Sequence, residues 1–285
     1  MVGDSGRRTD GTTASRMLAR VRVVVVLALL VAAPAGCTER ASSREPGRLA
    51  EESLTTATPG VRRGAPSSAS ESSATSSSQA IGESVLGRPI MLLSFGKASR
   101  RVLIVGGLHG DEYGADVAEA FATYLARHPA AIPNGTEVDI VPSANPDGVA
   151  EDRRGNAHHV NLNRNFPAYN WRPMMGPRTT SGPHPASEPE TRAIIRQLEA
   201  GYACVISLHS SGGVVDFDGP GGLPLAERIA RASRFRVLHL AVLGAYPGSL
   251  GSYAPRQYGI PVITIELRSR RLDADVLAGL REALR

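Results

Sequence analysis

Four residues of metal-ligand or acid–base type stand at the ends of apolar runs in this 285-residue chain: His109 and Glu112 in GGLHGDEYG, His209 in VISLHS, and Glu266 in VITIELR. Two histidines and one carboxylate are an established ligand set for a catalytic zinc ion, which takes three protein ligands and keeps one position open for water. His109, Glu112 and His209 supply that set, and one Zn2+ per chain is expected. Zinc brings bound water toward a pKa near ~7, and a neighbouring carboxylate can then take the proton. Glu266 is the candidate for that base, with Asp111 next in line. A lone HxxE is a weak pattern, and a single histidine at a strand end is more often structural. The weight comes from four such residues converging.

The elements that must position them are legible in the apolar spacing. Strands are predicted over 89–94, 102–106, 137–141, 203–208, 237–242 and 261–265, and helices over 114–127, 187–200, 223–235, 250–258 and 272–284. Strands mixed with helices of this length predict an α/β fold: a mainly parallel, mixed β-sheet flanked by helices, forming a single catalytic domain. In open α/β sheets the carboxyl ends of the strands meet in one crevice where ligands bind, and all four residues fall there. Gly106 and Gly107 allow a sharp turn after the strand at 102–106. Ser187 with Glu190 reads as a capping box, with Pro189 in the first helical turn.

The formal charge of +5 is concentrated near the start, where residues 1–50 hold eight arginines against four acids and leave +1 on the rest. A nucleic-acid surface is therefore not expected. Arg16, Arg20 and Arg22 precede an unbroken apolar run, VVVVLALLVAA at 23–33. That run is too short to span a membrane comfortably and suits a signal-peptide h-region. Met17 is an alternative start, since the first 16 residues are unlike an n-region. The run ends in Pro34-Ala35-Gly36-Cys37, similar to a bacterial lipobox except for Pro34. Residues 1–37 therefore read as a signal peptide whose Cys37 is a lipidation site, with ordinary cleavage nearby and a soluble secreted product as the alternative. Either outcome is extracytoplasmic. Residues 38–80, rich in serine and small residues, read as a flexible linker, and 81–285 as the catalytic domain. Cys204 lies in an apolar run and reads as a buried small hydrophobe.

Residues 82–285 resemble the zinc carboxypeptidase family, and within it the small bacterial branch of murein peptide amidases. The pieces that carry the resemblance are HGDE (109–112), NPDG (145–148), NLNRNFPAYNW (161–171), SEPET (187–191), SLH (207–209), PGSLGSY (247–253) and PVITIEL (261–267), in family order. The resemblance implies His109, Glu112 and His209 as zinc ligands and Glu266 as general base. It implies Arg154 as the arginine that polarises the scissile carbonyl, and Asn163 and Arg164 as the pair that grips a substrate carboxylate. Loop bracing is the alternative role for the last two. The implied activity is hydrolysis of an amide or peptide bond next to a free carboxylate, with a peptide or muropeptide as substrate, such as one containing a γ-D-glutamyl–diaminopimelate bond.

The chain departs from the family pattern at three places. Asn161 stands where an aspartate usually accepts a hydrogen bond from a zinc-bound histidine, which predicts a weaker tuning of the metal. His158 and His159 replace a small-residue pair and read as exposed loop residues, with substrate contact as the alternative. The family's substrate-contacting tyrosine has no direct counterpart; Tyr246, Tyr253 and Tyr258 are the candidates. Two other functions compete. One is a zinc N-acyl-amino-acid deacylase of the succinylglutamate desuccinylase and aspartoacylase type, which NPDG and SEPET disfavour. The other is a catalytically silent binding lipoprotein, which the intact set of four residues disfavours.

Overall fold

The computed structural model describes residues 76–240 and 246–285. The apolar run at 23–33, Cys37 and most of the expected linker lie outside the described residues. Eight strands form one sheet: β1 (Ser76–Glu83), β2 (Pro89–Phe95), β3 (Arg100–Val105), β4 (Thr136–Val141), β5 (Cys204–Ser210), β6 (Val214–Asp218), β7 (Arg236–Val237) and β8 (Val262–Leu267). Their spatial order is β1-β2-β4-β3-β5-β8-β6-β7. The central pairs β4–β3, β3–β5 and β5–β8 are parallel. The pairs β1–β2, β2–β4 and β6–β8 are antiparallel. This is the expected mixed α/β sheet.

Among the described residues six helices flank it: α1 (Gly114–Arg127), α2 (Pro146–Ala150), α3 (Pro189–Leu198), α4 (Gly222–Ser233), α5 (Leu250–Tyr258) and α6 (Ala274–Ala283). On one face Val117 and Phe121 of α1, Ile229 of α4 and Leu280 of α6 pack on Ile104, Ile206 and Ile265. On the other, Ile194 and Leu198 of α3, Ala254 of α5 and Phe166 pack on Leu103, Val105 and Val205. The central strands read as continuous apolar runs because both their faces are covered. Cys204 sits in the first of these cores, and burial pushes its thiol up to about 11, so it behaves as a hydrophobe.

The chain runs from β3 outward to β4, then returns to the other side of β3 at β5. The strand order reverses between β3 and β5, and the carboxyl ends of these strands open a crevice there. At the end of β3, a Cβ on Gly106 would lie 2.5 Å from the Gly114 carbonyl oxygen, so only glycine lets the loop fold back so closely.

Four expectations need correction. Residues 76–80, assigned to the linker, belong to β1 and pair with 91–95. A serine-rich edge strand needs backbone pairing on one side only and buries little, so its composition does not mark it. Of the strand expected at 237–242, the described residues 237–240 are extended only at Val237, which pairs within Arg236–Val237, and 241–242 lie outside the described residues; His239 is stacked on Phe217 with ring centroids 4.5 Å apart. Strand β6 had no counterpart in the expected pattern, being a short element between glycines. The Ser187–Glu190 capping box does not form. Glu188 is the N-cap of α3 and makes no side-chain cap bond, although Pro189 does occupy the first turn. Ser187 Oγ donates to Glu188 Oε1 at 2.6 Å, while Glu190 accepts from Val85 N and Asn156 Nδ2, both at 3.0 Å. Tertiary partners outcompete the local motif.

Candidate metal centre and substrate cleft

His109 and Glu112 lie on the loop after β3. His209 and Glu266 are neighbours in the parallel register of β5 and β8. Three donor atoms meet: His109 Nδ1 is 3.0 Å from Glu112 Oε1, His209 Nδ1 is 2.8 Å from Glu112 Oε2, and the two Nδ1 atoms are 3.1 Å apart. All three residues are buried.

The outer ring nitrogens decide what this cluster can hold. His109 Nε2 faces Asn161 Oδ1 at 2.9 Å, and that amide is oriented by its Nδ2 donating to the Arg178 carbonyl at 2.6 Å. His109 therefore donates from Nε2 and turns a lone pair inward from Nδ1. His209 Nε2 lies 3.1 Å from Ser207 Oγ and donates there, which again leaves Nδ1 as an acceptor. Burial lowers the His109 pKa to about 4, although its contact with Glu112 acts the other way. Two inward lone pairs and a carboxylate at such short range repel one another without a cation between them. Tetrahedral zinc with bonds of ~2.0–2.1 Å sets its ligands about 3.3 Å apart, close to the spacing found. The residues fit the metal.

The first departure in the sequence thus has a definite geometry. Asn161 accepts from the candidate ligand His109 as an aspartate would, but through a neutral oxygen. Asn161→Asp is expected to hold zinc at least as tightly as the parent, by up to ~10-fold, because a charged acceptor makes the imidazole a better donor. Competition against a chelator measures this, and clearly weaker binding would sink it.

A cleft of about 250 Å³ opens beside the candidate ligands, with Glu266, Arg154, Asn163, Arg164 and Tyr246 on its wall. The Glu266 carboxylate makes no side-chain hydrogen bond among the described residues. Burial raises its pKa, while His209 beside it pulls the other way. Asp111, the other candidate base, is engaged by Arg178 at 3.1 Å and lies 3.8 Å from Arg154. Arg154 Nη1 donates to Glu112 Oε1 at 2.5 Å. Its loop is tied to the ligand loop where Gly110 N donates to the Arg153 carbonyl at 3.0 Å.

Asn163 and Arg164 sit in a short 3₁₀ turn, Leu162–Arg164. Asn163 does brace: its Oδ1 accepts from Leu250 N at 2.9 Å, which leaves its amide NH₂ toward the cleft, 3.5 Å from His209 Nε2. Arg164 is buried and has no carboxylate partner among the described residues; Nη1 donates to the Asn163 carbonyl at 2.5 Å. Its guanidinium lies 4.9 Å from the centre of the Tyr246 ring. Burial lowers its pKa to about 10, with Arg154 acting in the same direction, so it stays cationic at neutral pH.

Tyr246 is therefore the tyrosine in the cleft. Tyr253 is buried against Phe166 at 5.9 Å, with its hydroxyl 3.3 Å from that of Tyr258, and both are packing residues. His158 is mostly exposed, as expected, but its Nδ1 meets Glu188 Oε2 at 2.8 Å, and it does not line the cleft. The NPDG piece is structural here: Asp147 is buried and accepts from Ser84 Oγ, Leu86 N and Arg88 Nη1. Two residues that the sequence reading missed, Asp216 and Asp218, also line the cleft. The pattern VVDFD, with acids alternating in an apolar stretch, is the signal that could have found them.

A metallohydrolase centre at the switch point of an α/β sheet is the class that this fold and site define. The zinc carboxypeptidase family model matches residues 67–220, which hold all three candidate ligands. The chain belongs to that family and is a hydrolytic enzyme of zinc-dependent type. It is 32% identical over 186 residues to murein peptide amidase A of Escherichia coli K12, covering 60% of this chain and 74% of that one. It is 31% identical over 171 residues to the human carboxypeptidase N catalytic chain, covering 47% of this chain and 37% of that one. Among solved structures, the murein-tripeptide amidase of E. coli O157 superposes with a TM-score of 0.55 at 27% identity, covering 72% of this chain and 88% of that one. Bovine thrombin-activatable fibrinolysis inhibitor gives 0.62 at 18% identity over 73% and 89%, a likeness of fold.

Proposed function

We propose that the enzyme cleaves an amide bond next to a free carboxylate in cell-wall peptides, of the γ-D-glutamyl–diaminopimelate kind. The observation that carries this reading is Arg164: a buried guanidinium without a carboxylate partner, on the wall of the cleft that holds the candidate ligands and Glu266. The identity to murein peptide amidase A supports the choice of substrate class. An exported enzyme would meet such peptides, in keeping with the apolar run and Cys37 near the start of the chain; cell fractionation tests that placement.

His109, Glu112 and His209 would hold one zinc ion, which supplies a Lewis acid for the carbonyl and acidifies water. Arg164 binds the substrate carboxylate as a fixed fork, and the Asn163 amide adds a donor to it. Arg154 swings from Glu112 toward the carbonyl oxygen and offsets the charge that develops there. Glu266 takes a proton from the attacking water at its carboxylate oxygen and passes it to the departing amine. Tyr246 stacks beneath Arg164 and keeps the fork from folding away.

A substrate whose carboxylate is amidated should be cut about 10²–10³-fold more slowly, because Arg164 would be left buried without its partner. Arg164→Ala should erase most of that discrimination while slowing the free acid. The measurement is kcat/KM for both forms of one diaminopimelate-containing tripeptide, with parent and variant. Equal cleavage of both forms by the parent would remove the carboxylate clamp.

A further inference from the structure

We propose that Arg178 recognises a second carboxylate of the substrate, on the acyl side of the scissile bond: the free α-carboxylate that a γ-linked D-glutamyl residue carries. This rests on the reading of the cleft given above and names the acyl residue that it accepts.

Arg178 lines the cleft that holds the candidate ligands and Glu266. Its backbone is fixed by the residue that orients His109. Asn161 Nδ2 donates to the Arg178 carbonyl at 2.6 Å, and Asn161 N donates to the Thr180 carbonyl at 2.8 Å. Thr179 N and Thr180 N close the turn on the Gly176 carbonyl at 3.1 and 3.3 Å. The side chain is 64% exposed, and Nη1 donates to Asp111 Oδ2 at 3.1 Å. An exposed ion pair of this kind contributes little to stability. A guanidinium has five N–H donors in a fixed fork, and beyond this pair the Arg178 side chain makes no hydrogen bond among the described residues. The result is a long arm on a firmly held base, with an open edge that fits a carboxylate.

Charge and order along the cleft assign the side. Arg154 is close enough to Arg164 to act on its pKa, and Asp111 joins Arg154 to Arg178, with contacts of 3.8 and 3.1 Å. The three cations thus run Arg164, Arg154, Arg178. Arg164 faces the carboxylate of the residue that leaves as the amine, Arg154 faces the carbonyl, and Arg178 lies past it, toward the acyl residue. Glu112 is committed as a candidate ligand, so Asp111 is the carboxylate that Arg154 and Arg178 share. Two guanidiniums on one carboxylate leave one positive charge unmatched at this end. An acyl residue joined through its α-carbonyl has no main-chain carboxylate left to offer, whereas a γ-linked glutamyl residue keeps one. That group stands three carbons from the scissile carbonyl, about 5 Å in an extended arm. Arg154 and Arg178 are spaced on that scale, because one carboxylate reaches both.

The test uses the zinc-loaded full chain and two L-alanyl-γ-D-glutamyl-diaminopimelate peptides, one with the glutamyl α-carboxylate free and one with it amidated. kcat/KM is measured for the parent, Arg178→Ala and Arg178→Lys. In parallel, calorimetry measures binding of N-acetyl-D-glutamate and N-acetyl-D-isoglutamine, which differ only in that group. The parent should favour the free acid by about 10–30-fold in both experiments. Arg178→Ala should bring the ratio toward one, and Arg178→Lys, a point charge without the fork, should keep part of it. Zinc content and thermal unfolding confirm that each variant is folded; if Arg178→Ala is not, a lowered ratio in Arg178→Lys decides. If neither peptide is cut but the parent binds N-acetyl-D-glutamate better, and Arg178→Ala loses that preference, the subsite stands and the hydrolytic reading falls. Equal treatment of the free and amidated forms by the parent, no turnover together with no binding, or a preference unchanged in the folded variants would overturn the subsite.

Discussion

Glu266→Gln is expected to lower kcat by about 10²–10⁴-fold, the range that a positioned general base contributes. The structure gives two reasons for an effect of that size. Glu266 lines the cleft beside His209, and it makes no side-chain hydrogen bond among the described residues, so its carboxylate has no structural task that would survive the change. Glutamine keeps the shape and removes only the proton-accepting charge. Zinc content and the unfolding temperature should therefore match the parent, and KM should move little beside kcat. Steady-state kinetics on a cleavable tripeptide, with metal analysis of the same sample, measure all of this. Near-normal turnover would assign the base elsewhere. Asp111 is a poor substitute, since Arg178 and Arg154 already occupy it.

His209→Ala should remove the metal itself. The parent is expected to carry close to one zinc per chain, and the variant only a small fraction of that. His109 and Glu112 would remain, but one inward lone pair and one carboxylate cannot complete a three-ligand site. Stability reports the same loss. With free zinc at 100 times its Kd the parent gains about 2.7 kcal/mol, which raises Tm by roughly 5–10 °C for a domain of this size. The variant should show almost no such rise. Elemental analysis and thermal unfolding with and without added zinc measure both, and unchanged metal content in the variant would take His209 out of the site. The variant also leaves Glu112 Oε2 with only the Ser210 N–H at 3.2 Å, so some loss of stability independent of metal is expected.

Much of this protein is local and was therefore legible in the sequence. The apolar runs at β2, β3, β4, β5 and β8 are strands because both faces of a central parallel sheet must be apolar. The helices α1 and α5 run over the predicted residues 114–127 and 250–258; Ser249 caps the start of α5 by accepting from Ser252 N, and Gly259 ends it in left-handed backbone. His109, Glu112, His209 and Glu266 converge because each sits at a strand's carboxyl end, and the topology of an α/β sheet gathers those ends. What escaped was set by partners distant in the chain. The serines of β1 pair at an edge, where little side-chain burial is demanded. Ser187 and Glu190 abandon a capping box: Ser187 Oγ accepts from Asn165 Nδ2 at 2.8 Å, and Glu190 accepts from Asn156 and Val85, residues that become neighbours only when the loops fold together. Among three tyrosines, only the tertiary structure separates Tyr246, stacked against Arg164 in the cleft, from Tyr253 and Tyr258 in the core. Asp216 and Asp218 look like ordinary surface acids until β6 pairs with β8. That register turns them onto the face of Glu266 and buries Asp216, and a side chain's burial and facing charges are properties of the packed sheet that no stretch of sequence contains alone.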